Sequence, residues 1–378
     1  MDRKRDKRIR HNVKYNKLLM ATIQLSDGGR YLSAALPESI MVTGTPPVTL
    51  CITDEDDGIL YNQKFHVGSF SFHELREVIE SHMRQRHKCI SSLEVAATDS
   101  VTNVAKQIQV AFATQLPSGA GMQEFAERYF LTPATARRVP EEATVSLVAL
   151  TFGKTETLSA TLCYVKENGR SGVSRMENPG FIQSDMDYPQ QLCITVSVME
   201  AAALLADEMP GATLTSLTVE LGSRSASFFI DRKMHATPPL RIEFLNCFNA
   251  SDAVWLPAVM ERSVTLDYSE GSVGHRLVAY DFEENTEFDV TTAGLTSGEA
   301  LLLEQALVSR NVLADACYVD GKKTRMYSAL LSDAKFSTSN DPESPPTGSF
   351  TIRFADRTRR FDTGDCRIFT EQFTPPFA

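Results

Sequence analysis

The chain has 378 residues, of which 42% are apolar and 23% charged, with a net charge of −10. These values exclude a low-complexity polymer and fit a folded chain of two or three domains, each large enough to bury a core. Charge is uneven: residues 1–17 hold eight Lys/Arg against two Asp. The body is therefore more acidic than the net figure, which argues against an extended phosphate-binding face.

The segment 1–20 reads as a disordered basic arm, and nucleic acid is not an expected partner. No apolar run approaches the ~20 residues of a membrane span, and Leu18–Ala21 is too short for the apolar part of a secretory signal. The expectation is a chain without a membrane span, synthesised in the cytoplasm. Cys51, Cys89, Cys163, Cys193, Cys247, Cys317 and Cys366 are widely scattered with no CxxC pair. Several sit in apolar, strand-like runs, so reduced cysteine is expected rather than a disulfide framework or a zinc site.

In chain order, Ala21–Leu25, Ser39–Val42 and Val48–Thr53 read as strands. The acidic pentapeptide Asp54–Gly58 falls at a hairpin turn before Ile59–Phe65. Its carboxylates have the right chemistry for Ca²⁺ but lack the alternation of a calcium loop, so a solvated turn is expected. Ser71 and Glu74 have the spacing of a capping box, with Phe70 against Leu75 as a staple, ahead of an amphipathic helix carrying Leu75, Val78, Ile79 and Met83. His82, His87 and Cys89 cluster near its end. Their spacing places the histidines on different faces with no fourth ligand nearby, so a basic helix terminus is the expected reading.

Two strands follow in Ser92–Leu116, then a break at Pro117–Gly121 and a short helix over Met122–Phe130. Ala143–Phe152 and Glu156–Val165 read as a hairpin around Gly153-Lys154. Residues 166–189 are polar, contain Gly and Pro, show no period and read as a linker. Gln190–Val198 is a strand, Met199–Ala206 a helix, and Leu214–Glu220 with Ser225–Ile230 a hairpin turning at Gly222. Leu240–Leu245 alternates at period two, Asn249–Asp252 is a turn, and Val254–Leu256 is a strand holding the sole tryptophan. Arg276–Tyr280 and Thr286–Thr291 are strands, and Thr296–Glu299 is a second capping box opening a helix with Ala300, Leu303 and Leu307 on one face. Ala316–Val319, Thr324–Ala329 and Ser349–Phe354 close the series, with a Pro/Ser-rich loop at Asp341–Gly348.

The expected fold is mainly β, of sandwich-like modules with a few short amphipathic helices, α+β overall. Its divisions are an N-terminal β-rich domain at 21–165, the linker, a middle β module at 190–260 and a C-terminal β module at 261–378.

GxGxxG, GxxxxGK[ST], HExxH and GxSxG are all missing from the sequence. Asp252, Asp281, Glu283, Glu284, Glu287 and Asp289 include enough acids for a glycosidase pair, but such chemistry depends on a separation that sequence does not give. Trp255, Tyr268 and Tyr280 have the composition of a sugar-stacking platform, although a lone Trp in a VWL run is more readily core. The expectation is no enzyme, with no catalytic, cofactor-binding or metal residues and no cofactor.

The run LRIEFLNCFNASDAVWLPA, carried by Phe244, Asn246, Phe248, Asn249, Asp252 and Trp255, resembles tail or baseplate-type structural proteins of phages and prophages of Bacteroides and relatives. The later order Tyr280-Asp-Phe-Glu-Glu, Phe288-Asp-Val, Gly294-Leu-Thr and Ser309–Val312 looks similar, as does FAERYFLT (Phe125–Thr132) followed by Arg137-Arg138. The chain departs from the pattern at Cys247 and in its basic arm. The resemblance implies a virion structural protein that acts through contacts with its own copies and other tail proteins, with a host-surface glycan as a further candidate partner. The competing expectations are a carbohydrate-binding or adhesin-like β-sandwich and a hydrolase with a non-local site.

Overall fold

The computed structural model describes residues 20–115, 121–152, 156–180, 182–187, 191–235, 239–273, 275–292, 294–315, 326–339, 341 and 344–354. The basic arm, the Gly153-Lys154 turn, the Ala316–Val319 strand, Cys317 and Cys366 lie outside them. So do the side chains of Tyr268, Tyr280, Asp281, Glu283 and Glu284. The fold is mainly β with four α-helices among the described residues. It divides into two compact units, residues 1–128 with Cys247–Asn249, and residues 129–246 with 250–378.

The first unit contains β1 (Thr22–Ile23), β2 (Gly29–Leu32), β3 (Ile40–Thr43), β4 (Val48–Asp54), β5 (Gly58–Phe65), β6 (Ser69–Phe72), α1 (Leu75–Arg86), β7 (Ile90–Thr98), β8 (Asn103–Ala111) and α2 (Met122–Arg128). A three-stranded sheet, β1-β3-β6, and a five-stranded sheet, β2-β8-β7-β4-β5, share one core with α1. The reason lies in side-chain period. Val48, Leu50 and Ile52 alternate along β4, and Leu75, Ile79 and Met83 recur every four residues along α1, so each element offers one apolar face. The capping box expected at Ser71 does not form: Ser71 continues β6 opposite Met41, and α1 starts later, at Leu75, with no side-chain cap. Phe70 stacks on Phe65 at 4.0 Å between ring centroids. At the other end His87 closes the helix in the left-handed region, φ 56°.

The second unit contains β9 (Ala136–Val139), β10 (Thr144–Leu150), β11 (Leu158–Lys166), β12 (Ser171–Glu177), β13 (Ile182–Asp187), β14 (Gln191–Ser197), α3 (Val198–Glu208), β15 (Ala212–Leu221), β16 (Arg224–Ile230), β17 (Leu240–Leu245), β18 (Ser251–Leu256), β19 (Ala258–Val273), β20 (Arg276–Thr292), α4 (Ser297–Val308), β21 (Val312–Asp315), β22 (Met326–Ser337) and β23 (Thr347–Phe354). Its first core lies between sheets β10-β14-β13 and β12-β11-β15-β16-β9, with α3 and Trp255. Its second core is formed by the seven-stranded sheet β18-β17-β21-β22-β23-β20-β19 and α4.

Three expectations change here. Residues 166–189 are not a linker, because they hold β12 and β13; β12 half-buries only alternate residues, so its polar sequence is that of an outer strand. β10 and β11 do not form a hairpin. β10 pairs with β14 and β11 with β15, so the two consecutive strands lie in different sheets, each burying apolar residues in the same core. Arg276–Tyr280 and Thr286–Thr291 are parts of one strand, β20, paired along its length with β19. The division after Arg128 also assigns β9, β10 and β11 to the second unit.

The capping box at Thr296 is present. Glu299 donates its backbone N–H to Thr296 Oγ1 (3.3 Å), and its Oε2 accepts the Thr296 N–H (2.8 Å). The five described cysteines are free thiols. No described helix is long and apolar enough to cross a membrane.

Candidate functional site: a two-stranded arm and a charged turn

Two features stand apart from ordinary core construction, one in each unit. In the second unit, β19 and β20 pair from Ala258↔Thr292 to Val273↔Arg276. Only the base of this hairpin joins the sheet, where β23 pairs with Phe288–Thr292 of β20. From Val264↔Thr286 to the tip, no third strand pairs with it among the described residues. Ten residues of β19 at ~3.4 Å each make a two-stranded arm about 34 Å long. β19 is the outermost strand of the sheet, and Glu261–Thr265, Ser269 and Glu270 are exposed. The charged and Gly-containing sequence of β19 hid this strand from pattern reading; the pairing partner that makes it a strand is β20.

In the first unit, the turn between β4 and β5 meets α1. Asp54 is buried at the end of β4, and its Oδ1 accepts the backbone N–H groups of Asp56 (2.9 Å) and Asp57 (3.1 Å). Gly58, φ 81°, lets the chain turn into β5. The Lys88 ammonium lies 2.9 Å from Asp54 Oδ1, 3.0 Å from Asp56 Oδ2 and 2.7 Å from Asp57 Oδ2. His82 Nε2 sits 3.4 Å from Asp54 Oδ2 and 3.2 Å from Asp57 Oδ2, and Arg86 Nε is 3.4 Å from Asp57 Oδ1.

Burial pushes the Asp54 carboxyl up, but donation from Lys88 and the two backbone N–H groups outweighs it and holds the group below its ordinary value. The Lys88 hydrogen bond likewise lowers Asp57. Burial works against the Lys88 ammonium, yet Asp57, Asp54 and Asp56 raise it overall. The two segments that each carry metal-ligand residue types in the sequence thus meet, through His82. His87 and Cys89 do not join them: His87 forms the left-handed end of the helix, and Cys89 Sγ donates to the Asn249 carbonyl at 3.4 Å.

Of the acids considered for hydrolysis, the three whose side chains are described are each engaged by a partner of their own. Asp252 is buried, paired with Arg137, and accepts from Thr132 Oγ1 (2.6 Å) and Asn246 Nδ2 (3.2 Å). Glu287 pairs with Arg353 at 2.7 Å, and Asp289 Oδ1 accepts from Thr351 at 2.9 Å. A small cavity of about 180 Å³ is lined in part by Arg137, Arg241, Glu243, Asp252 and Trp255, and its two carboxylates are each tied to an arginine. Trp255 is 4% exposed and packs in the first core of its unit, with the Arg241 guanidinium 5.5 Å over its ring. That is the buried role its VWL setting suggests.

No protein-family model and no curated protein matches the chain. Among solved structures, it is similar to a chimeric titin Z1Z2 (7% identity, 57% of this chain and 98% of that one, TM-score 0.17) and to titin A168–A169 (12%, 56% and 100%, TM-score 0.21). It is also similar to an endo-fucoidan hydrolase of glycoside hydrolase family 107, at 9% identity over 71% of this chain and 40% of that one, with a TM-score of 0.16. At such scores the likenesses carry no argument about fold or chemistry.

Proposed function

We propose that the chain is a non-enzymatic structural component of a phage or prophage tail or baseplate-like assembly, acting through protein–protein contacts. The β19–β20 arm supports this reading. An isolated two-stranded hairpin is marginally stable in water, and a long outer strand is a template for pairing with another chain. A 16-residue outer strand on a paired arm gains stability and purpose together when a second copy or a neighbouring tail protein pairs with it. The family resemblance supplies the setting, with assembly in the host cytoplasm and the virion as destination.

The test replaces Ser263–Glu287 by an Asn-Gly turn, leaving Phe288 and Val290 in their core. In size-exclusion chromatography with light scattering, the full chain forms an oligomer whose mass rises with concentration, whereas the shortened chain is a monomer with unchanged circular dichroism. A full-length chain that stays monomeric at high concentration would overturn the assembly reading. Genomic neighbours without portal, tape-measure or tail genes would remove the phage setting.

A further inference from the structure

We propose that Asp54, Asp57 and His82 form a three-ligand site for a divalent transition-metal ion, with Zn²⁺ the best fit. The proposal is independent of the assembly reading. The three ligand atoms lie within 4.8 Å of one another. A tetrahedral zinc with Zn–N and Zn–O bonds of ~2.0–2.2 Å has ligand-to-ligand edges of about 3.4 Å. The distances from His82 Nε2 to the two carboxylate oxygens, 3.4 and 3.2 Å, match two such edges.

A second observation points to a ligand. The His82 side chain is 10% exposed and that of Asp54 1%, yet His82 Nε2 and Asp54 Oδ2 are enclosed atoms with no hydrogen bond among the described residues, facing each other only across an ion-pair distance of 3.4 Å. Buried polar atoms are nearly always paired. Asp54 Oδ1 is fully used by Asp56, Asp57 and Lys88, so Oδ2 is the oxygen left over, and it faces the imidazole. The nitrogen donor favours zinc-like ions over Ca²⁺ and Mg²⁺, which take oxygen ligands. Three protein ligands leave a fourth position for water.

Lys88 is the rival cation. Its ammonium shares Asp57 Oδ2 with the proposed metal and also contacts Asp56 and Asp54 Oδ1, and Arg86 adds positive charge at Asp57 Oδ1. Metal entry draws Asp57 Oδ2 away from the ammonium, which keeps its hold on the exposed Asp56, and it requires the neutral imidazole. Removing the Lys88 charge therefore tightens binding, an outcome that an ion-pair cluster without metal affinity does not produce.

The experiment uses the full chain stripped with EDTA, titrated with Zn²⁺ by calorimetry and with Co²⁺ by absorption. One ion per chain is expected, with the d–d bands of a tetrahedral N/O site and no thiolate charge-transfer band. His82→Gln and Asp57→Asn each weaken binding by more than the about 10–100-fold that loss of an outer hydrogen-bond partner costs a metal site. Lys88→Met tightens it by about tenfold or more, since a unit charge ~4 Å away is worth at least that. Should His82→Gln fail to fold, Asp57→Asn in the turn and Lys88→Met decide the matter. Absence of stoichiometric uptake, uptake unchanged in Asp57→Asn, a thiolate band, or weaker binding by Lys88→Met would each overturn the proposal.

Discussion

The ion pair between Arg137 and Asp252 gives a sharp test of how the second unit is built. Both side chains are nearly enclosed, at 3% and 2% exposure. Arg137 also donates to the Ala253 carbonyl at 2.9 Å, with its guanidinium 5.4 Å over the Phe228 ring. Asp252→Asn keeps the shape and removes the charge, leaving a buried guanidinium uncompensated. Breaking one side of such a pair costs about 3–5 kcal/mol, whereas replacing both partners with apolar residues is often neutral or stabilising. The double variant Arg137→Met/Asp252→Leu is therefore expected within about 1–2 kcal/mol of the parent. Two partners of Asp252 keep another acceptor, Asn246 Nδ2 the Leu131 carbonyl (2.8 Å) and Thr132 Oγ1 the Ala134 carbonyl (3.2 Å), while the half-buried Ala253 loses the acceptor of its N–H. The assay is urea unfolding followed by tryptophan fluorescence. Trp255 is the sole tryptophan, so the signal reports the second unit alone. With a slope of ~2–3 kcal/mol/M, the single substitution lowers the midpoint by about 1–2 M. A shift under about 0.3 M, or a double variant as destabilised as the sum of its singles, would refute the reasoning.

Gly298 lies in the first turn of α4, where a Cβ would stand 2.3 Å from the Ala136 carbonyl oxygen, a backbone atom that cannot swing aside. Gly298→Ala, which in an open helix adds roughly 0.5–1 kcal/mol of stability, is expected to reverse sign here and cost about 1–3 kcal/mol, read by the same fluorescence assay. In the first unit, the Asp54 carboxyl is held below its ordinary value of 3.8. Its contribution is present above that pH and lost as pH falls through the lower folded-state value. Protection of the α1 amides, taken relative to their intrinsic exchange rate, is thus expected to fall below about pH 4, and Asp54→Asn to flatten that acid dependence while lowering protection at neutral pH.

Single elements were readable from the sequence wherever one face of the chain is buried. β4, β17 and α3 follow their apolar period, and Thr296 with Glu299 makes the predicted cap of α4 because both partners are local. What failed depended on distant residues. Ser71 and Glu74 satisfy the capping spacing, but β3 claims Ser71 for the sheet. β12 and β13 look like linker because outer strands need only half an apolar face. Glu299 shows how much of a role can be non-local. Besides capping α4, it accepts from Arg138 Nε (2.8 Å) and Nη2 (2.6 Å), so a residue legible as a helix signal also binds α4 to β9. The charged turn was half legible: its acids and His82 were each visible, and only the packing of α1 beside the β4–β5 turn joins them.

The arm carries its own rule for association. Register pairs Glu261 with Asp289 and Ser263 with Glu287, and in the alternate row Met260 with Val290 and Arg262 with Phe288. Alternation places the two sets on opposite faces of the ribbon, one turned to the core through Phe288 and Val290 and the other carrying three acids, of which Glu261 and Asp289 are exposed. Two arms brought together by their acidic rows repel, which discourages indiscriminate stacking and leaves the free edge of β19 as the productive contact. Repulsion between exposed charges is screened over ~30 Å at about 0.01 M salt and over ~10 Å at about 0.1 M. Self-association by the arm is therefore expected to strengthen as salt rises across that range, measured by the concentration dependence of mass in light scattering. Weakening with salt would show that attraction between opposite charges holds the copies together, and the β19 edge would then be the wrong contact.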